Sequence, residues 1–152
     1  MVSPKLILGL LIFILIFHII ASINSWYWVY TWLDMPMHFF GGFWLATVFI
    51  ILNSKLKIQN SELSGLPNYL ITIVITLGFV ALIGVFWEFF EFGYDVLISS
   101  KGYFAATQQG TADTMSDLFF DLLGGLMFLT IHKYFLKNND AKIQQNKDYF
   151  PE

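Results

Sequence analysis

Cysteine and arginine are both absent from this chain, and charged side chains are scarce. Without cysteine, neither a disulfide framework nor a thiolate metal site can form. Without arginine, the usual bidentate clamp for phosphate and carboxylate groups is missing. Charged residues make up 12% of the chain, about half the share found in a soluble domain. The net charge of −3 and the lack of a basic patch argue against nucleic-acid binding.

Apolar residues, in contrast, make up 57% of the chain and are gathered in four blocks. The first block is long enough to cross roughly 30 Å of hydrocarbon at about 1.5 Å per residue. We therefore predict an all-α membrane protein, a four-transmembrane-helix bundle, formed by a single domain over residues 1–137. The predicted spans are residues 6–23, 37–52, 69–92 and 114–136, and residues 138–152 are predicted to be a polar, disordered tail.

The lysines predict how the bundle is oriented. Lysines precede the first span, lie between the second and third spans, and follow the fourth. The 25–35 loop has none, and the 94–114 loop has only Lys101. Since lysine-rich loops stay in the cytoplasm, we expect both termini to be cytoplasmic in a multi-pass protein of the cell inner (plasma) membrane. The tryptophans and tyrosines of residues 26–32 then form an aromatic belt at the outer surface of the lipid bilayer.

Seven of the eleven acidic residues lie where a predicted span begins or ends. They are Asp34, Glu88, Glu91, Asp95, Asp113, Asp117 and Asp121, and His38 follows the first of them by one helical turn. On each helix the acids share a face, because residues at i, i+3, i+4 and i+7 lie on one side. Small residues continue the same faces, and they mark close approach between membrane helices. We therefore expect three helices to bring their acids together inside the outer end of the bundle.

These carboxylates cannot all stay ionised and unpaired, because charged groups are costly inside a membrane. Either several are protonated or a cation neutralises them, and the sequence leaves both open. With no arginine available, we favour a divalent metal ion. One histidine among many carboxylates suits Mg²⁺, Mn²⁺, Ca²⁺ or iron better than Zn²⁺. The predicted metal ligands are Asp34, His38, Glu88, Glu91, Asp113, Asp117 and Asp121.

Taken one at a time, several of these residues also have ordinary structural interpretations. Asp34 and Asp113 can cap the helices that they begin, and Asp95 is expected to be solvated at the membrane surface. A single histidine in the first span, His18, is more typical of a buried hydrogen-bonding partner than of a metal ligand. The long 94–114 loop is either a lid over the site or a polar hairpin among the headgroups.

Three short strings together form a characteristic pattern: Asp34-x-x-x-His38, Glu88-x-x-Glu91 and Asp113-Thr114-x-x-Asp117. This pattern resembles the YjdF-like bacterial inner-membrane proteins, a family of unknown function, over residues 33–128. The chain departs from that family at Met35, where arginine is common, and in having Asp121. It is also loosely similar to VanZ-like membrane proteins, which are linked to glycopeptide-antibiotic resistance. Neither resemblance implies a known reaction.

Three classes of function fit these features, and whether the protein is an enzyme is left open. The first is a membrane metalloenzyme acting on a lipid or lipid-linked substrate, in which a metal activates water and a carboxylate acts as base. The second is a protein that binds or transports a cation or a cationic ligand. The inner half of the predicted bundle offers no matching charged relay, although a homo-oligomer could change that. The third is a structural or accessory protein whose polar cluster sets the helix register.

Overall fold

Every regular element in the described part of the chain is helical. The computed structural model describes residues 3–56, 68–102 and 105–149, with side chains as far as residue 138. The α-helices are α1 (Pro4–Ile23), α2 (Trp26–Val29), α3 (Asp34–Leu56), α4 (Asn68–Leu97) and α5 (Thr111–Tyr149), and 3-10 turns cover Thr31–Leu33 and Ser99–Lys101. The helices α1, α3, α4 and α5 are each long and apolar enough to cross a membrane. The predicted all-α architecture with four spans is therefore confirmed.

The helices extend beyond the apolar blocks from which the spans were predicted. The reason is physical: an apolar block ends where polar side chains begin, whereas backbone hydrogen bonding continues past that boundary. The helix α5 runs as far as Tyr149, through most of the 138–152 segment for which we expected disorder. Of the loop expected between the second and third spans, residues 53–56 and 68 are helical, whereas residues 57–67, with Lys57, lie outside the described residues.

The glycines of α3 and α5 allow these two helices to pack in backbone contact. A methyl group added at Gly42 would overlap the carbonyl oxygen of Asp121, and one added at Gly124 would overlap the carbonyl oxygen of Phe39. No side chain fits in either place, so the expected role of small residues in close helix approach is seen in atomic detail. Beside this contact, Val80 of α4 joins Phe128 in the buried apolar core.

One end of the bundle brings together the start of α3, the end of α4 and the start of α5. We call it the acidic end, because it holds the buried carboxylates of Asp34, Glu88, Glu91, Asp117 and Asp121. The helix α1 also ends there and is joined to α3 by α2 and a 3-10 turn. Trp28, Tyr30 and Trp32 of this connection are exposed, as an aromatic belt requires, whereas Tyr27 turns inward and is buried.

Candidate functional site

His38 lies at the centre of the acidic end and is only 7% exposed. Its Nε2 atom is 3.7 Å from Asp34 Oδ1 and 4.0 Å from Asp117 Oδ1. On the other side of the ring, Nδ1 is 3.3 Å from Asp121 Oδ2. Two turns of α5 therefore place one carboxylate on each edge of an imidazole carried by α3. All of the ion pairs among the described side chains involve His38.

Asp34, His38 and Asp117 form a compact donor group. One ligand atom from each lies within 4.8 Å of the others, and all three residues are buried. Protein ligands sit about 2.0–2.6 Å from a bound Zn²⁺ or Ca²⁺ ion, so separations of this size can be bridged by a single cation. Asp34 has helical backbone angles, φ −67° and ψ −41°. It is thus the first helical residue of α3, and its carboxylate is directed at His38.

Asp121 contacts the Nδ1 side of the His38 ring, opposite the Nε2 atom that faces Asp34 and Asp117. Its Oδ2 atom is within hydrogen-bond reach of His38 Nδ1. A proton on Nδ1 would be donated to this carboxylate, and Nε2 would then face the donor group. Histidines that bind metals are commonly oriented by such a carboxylate on their other nitrogen. The glycine at position 84 leaves space for the Asp121 carboxylate. A methyl group at Gly84 would lie 2.5 Å from Asp121 Oδ2, which is too close for both groups.

Several carboxylate oxygens at the acidic end are buried and have no hydrogen-bond partner among the described residues. Both oxygens of Asp117 are in this state, and the residue is 1% exposed. Glu91 has one such oxygen, Oε2, while its Oε1 accepts a 3.1 Å hydrogen bond from Trp87 Nε1. Glu88 also has one, Oε1, while its Oε2 accepts a 3.3 Å hydrogen bond from Gln108 Nε2. Each buried oxygen left this way costs about 1–3 kcal/mol, so the site calls for a proton, a water molecule or a cation.

The segment 105–110, here called the cover segment, packs across the acidic end. Asp95 holds it with both carboxylate oxygens, which accept hydrogen bonds from the backbone N–H groups of Thr107 (2.8 Å) and Gln108 (2.9 Å). Gln109 Nε2 donates to the Tyr27 carbonyl oxygen at 2.8 Å. The expectation that Asp95 is merely solvated is wrong, because this carboxylate is half-buried and anchors a loop.

Asp113 also binds the cover segment, at the end that leads into α5. Its Oδ2 atom accepts a 3.0 Å hydrogen bond from the Gln109 N–H. This bond fixes the turn just before α5 begins. Gly110 makes this turn with φ 121°, a conformation that favours glycine. The structure thus places Asp113 at the helix start, outside the compact donor group of Asp34, His38 and Asp117.

Two cavities meet at this site. The first, here called the apolar crevice, has a volume of about 200 Å³ and lies between α1, α3 and α4. Its lining is Leu11, Ile14, Leu15, His18, Met37, Gly41, Trp44, Leu45, Ile83, Gly84 and Trp87, with Asp34, His38 and Asp121 at its polar end. The second, here called the polar cavity, has a volume of about 260 Å³. It lies beneath the cover segment, where Ser22, Tyr27, Glu91 and Thr107 contribute polar groups among apolar neighbours such as Ile19 and Phe90. Its lining is therefore mixed, and it is more polar than that of the apolar crevice.

His18 and Asp34 line both cavities. His18 Nδ1 is 3.0 Å from the Tyr27 hydroxyl, so this histidine has the hydrogen-bonding partner that its position predicted. Burial raises the pKa of the Tyr27 hydroxyl, and the nearby carboxylates of Asp34 and Glu91 raise it further. Tyr27 therefore stays protonated and neutral. His132 lies far along α5, stacked on Phe128.

Sequence reasoning missed the two residues whose side chains donate hydrogen bonds to the buried glutamates. Trp87 precedes Glu91 by four residues, so helical spacing could have indicated that the two side chains meet. Gln108 gave no comparable signal, because its contact with Glu88 depends on how an irregular segment folds back over the bundle.

The fold and the site define a class of protein: a helical membrane protein with a buried carboxylate and histidine site at one end of a four-span bundle. Residues 2–138 match the profile of the family described as "Predicted membrane protein (DUF2238)". Because this match covers most of the chain, the protein belongs to that family. The YjdF-like resemblance fits this assignment coarsely, whereas the VanZ-like resemblance is not shown by it.

An uncharacterised protein of Thermotoga maritima is a more distant relative. It is 32% identical to this chain over 102 residues, which are 67% of this chain and 47% of the relative. The chain thus matches about half the length of that curated relative. No solved structure matches this chain.

Proposed function

We propose that the acidic end binds a divalent metal cation between Asp34, His38 and Asp117. The observation that carries this proposal is Asp117, a carboxylate 1% exposed. Neither of its oxygens has a hydrogen-bond partner among the described residues, and Oδ1 is 4.0 Å from His38 Nε2. Removing a charge from water without a partner is among the costliest steps in folding. A cation at this point would neutralise Asp34 and Asp117 together, and His38 Nε2 would complete the group.

The donor chemistry favours a hard or intermediate ion. Two carboxylates and one imidazole suit Mg²⁺, Mn²⁺, Ca²⁺ or iron, whereas Zn²⁺ usually takes more nitrogen or sulfur ligands. The unpaired oxygens of Glu88 and Glu91 add further acceptors for water molecules around such an ion. Asp121 would keep His38 in the tautomer that offers Nε2 to the metal.

We further propose that the site acts on a lipid or lipid-linked substrate. A bound divalent ion supplies Lewis acidity and lowers the pKa of a coordinated water molecule. Glu91 is the proton acceptor that we assign, because Trp87 donates a hydrogen bond to one of its oxygens and the other accepts none from the described residues. The cover segment and Tyr27 would limit the entry of bulk water from the polar cavity.

The distribution of lysines supports placing this site at the outer face of the inner membrane. Positively charged loops stay in the cytoplasm, and the acidic end is the end where the cover segment and α2 connect the helices. On this proposal, a substrate reaches the site from the outer leaflet rather than from the cytoplasm.

Elemental analysis of the purified protein tests the metal proposal. The protein is loaded with Mn²⁺ in detergent, passed through a desalting column and measured for bound metal beside the Asp117→Asn variant. We expect stoichiometric metal in the native protein and a loss in the variant. Asp113→Asn is the matched control, because it changes the same residue type one turn earlier while asparagine can still accept the Gln109 N–H. Native protein that is folded and holds no stoichiometric metal after loading would contradict the proposal.

A further inference from the structure

The apolar crevice opens on the lipid-facing side of the bundle. The helix α1 contacts its neighbours near its start and near its end. Trp44 Nε1 of α3 donates to the Ile7 carbonyl oxygen at 2.9 Å, and the rings of His18 and Trp87 are 5.5 Å apart. Between these contacts, Leu15 lines the crevice and is also 45% exposed. The crevice is therefore a side opening toward the hydrocarbon of the membrane.

The walls of the crevice and its inner end differ in polarity. Leu11, Ile14 and Ile83 form apolar walls, while the carboxylate of Asp34 and the ring of His38 stand at the inner end. Water is a poor occupant for the apolar part, because a water molecule needs two to four polar partners. The volume of about 200 Å³ exceeds the roughly 150 Å³ of an apolar cavity that admits a benzene ring.

The polar cavity continues from the same point in the opposite direction. Asp34 and His18 line both spaces. A ligand that fills both cavities would therefore pass the candidate metal site where they meet. An apolar compartment open to hydrocarbon and a compartment of mixed, more polar lining under the cover segment match the two parts of one amphiphile. A lipid has this division, with an alkyl chain and a polar headgroup, and lipid chains already surround the mouth of the crevice in a membrane.

We propose that the apolar crevice binds the alkyl chain of a membrane lipid, whose headgroup lies in the polar cavity against Asp34. This inference rests on the proposed function and deepens it, because it names the substrate class and its route of entry. The chain enters sideways between α1 and α4, and the bond next to the headgroup is brought beside Asp34 and His38.

The test uses a phospholipid that carries a photoreactive diazirine in its acyl chain. The probe is diluted into vesicles of phosphatidylethanolamine and phosphatidylglycerol that contain the full-length protein, and labelled residues are mapped by mass spectrometry. We expect saturable labelling at Leu11 and Ile83. In Ile14→Trp, which fills the crevice, this labelling should fall about tenfold, equivalent to about 1.4 kcal/mol. Ile16→Trp is the matched control, because Ile16 lies on the same helix, is 54% exposed and does not line the crevice.

Several outcomes separate the possibilities. Labelling that rises in proportion to the probe, with no difference between the two variants, would overturn the inference. If Ile14→Trp does not fold, the smaller Leu11→Phe replaces it, with labelling read at Ile83 and folding checked by far-ultraviolet circular dichroism. Metal content is measured on the same samples. Bound metal without saturable labelling refutes lipid binding in the crevice and leaves the metal proposal standing. Saturable labelling without metal refutes the metal proposal and leaves lipid binding standing.

Discussion

Replacing Asp117 by asparagine should change the stability of the protein in opposite directions with and without metal. In the metal-free protein, Asp117 is a buried carboxylate among other acids, and neither oxygen accepts a hydrogen bond from the described residues. Asparagine removes the charge and adds two donors that can reach the neighbouring carboxylates. Since each unpaired buried group costs about 1–3 kcal/mol, we expect the metal-free variant to be more stable by a similar amount.

With metal the order should reverse. A ligand that binds only the folded state at 100 times its dissociation constant stabilises that state by about 2.7 kcal/mol. The native protein should gain this amount, and Asp117→Asn should gain little because a charged ligand has been lost. For a chain of this size, 1 kcal/mol corresponds to a shift of about 2–4 °C in Tm, so both effects are measurable.

The assay is thermal unfolding in detergent by circular dichroism, with a chelator or with excess Mn²⁺. Four curves are compared, for the native protein and the variant under each condition. The predicted result is a crossing, in which the variant has the higher Tm in chelator and the native protein has the higher Tm in Mn²⁺. A variant that is less stable in both conditions, with no effect of Mn²⁺ on the native protein, would refute the reasoning and favour a structural role for Asp117.

Three further substitutions test separate parts of the structure. Asp121→Asn should weaken Mn²⁺ binding about 10- to 100-fold, because the group that orients His38 loses its charge; isothermal titration calorimetry measures this, and unchanged affinity would argue against the assigned role. Asp95→Ala removes the hydrogen bonds that hold the cover segment, so amide exchange at residues 107–108 should become at least about tenfold faster by hydrogen–deuterium exchange; equal exchange rates would show that the segment is held by other contacts. Gly124→Val should lower Tm markedly because a Cβ there meets the Phe39 carbonyl oxygen, whereas Gly9→Val, with open space around it, should not.

The general architecture could be predicted because it depends on one strong physical requirement. A backbone inside hydrocarbon must satisfy its own hydrogen bonds, so a long apolar block is a helix. The polar connections carry no such requirement. The hydrogen bonds from Thr107 and Gln108 to Asp95 depend on the path of an irregular segment, and no periodicity in the sequence encodes that path.

The candidate site shows the same division. Spacing along α3 and α5 predicted that His38, Asp117 and Asp121 share the interior of the bundle, and the structure brings these side chains together. Spacing could not distinguish the roles of the two acids. Asp121 contacts the Nδ1 atom of the imidazole, whereas Asp117 faces its Nε2 atom. That difference depends on the rotation of α5 against α3, which the glycine contacts at Gly42 and Gly124 determine.

The most direct test of the central claim is to locate a bound ion. Crystals grown with Mn²⁺ would be measured by anomalous diffraction, which identifies the position of the metal independently of any activity. We predict one anomalous peak at the acidic end, about 2.0–2.6 Å from His38 Nε2 and from a carboxylate oxygen of Asp34 and of Asp117. Well-ordered density for these three side chains with no anomalous peak between them, at saturating Mn²⁺, would contradict the account.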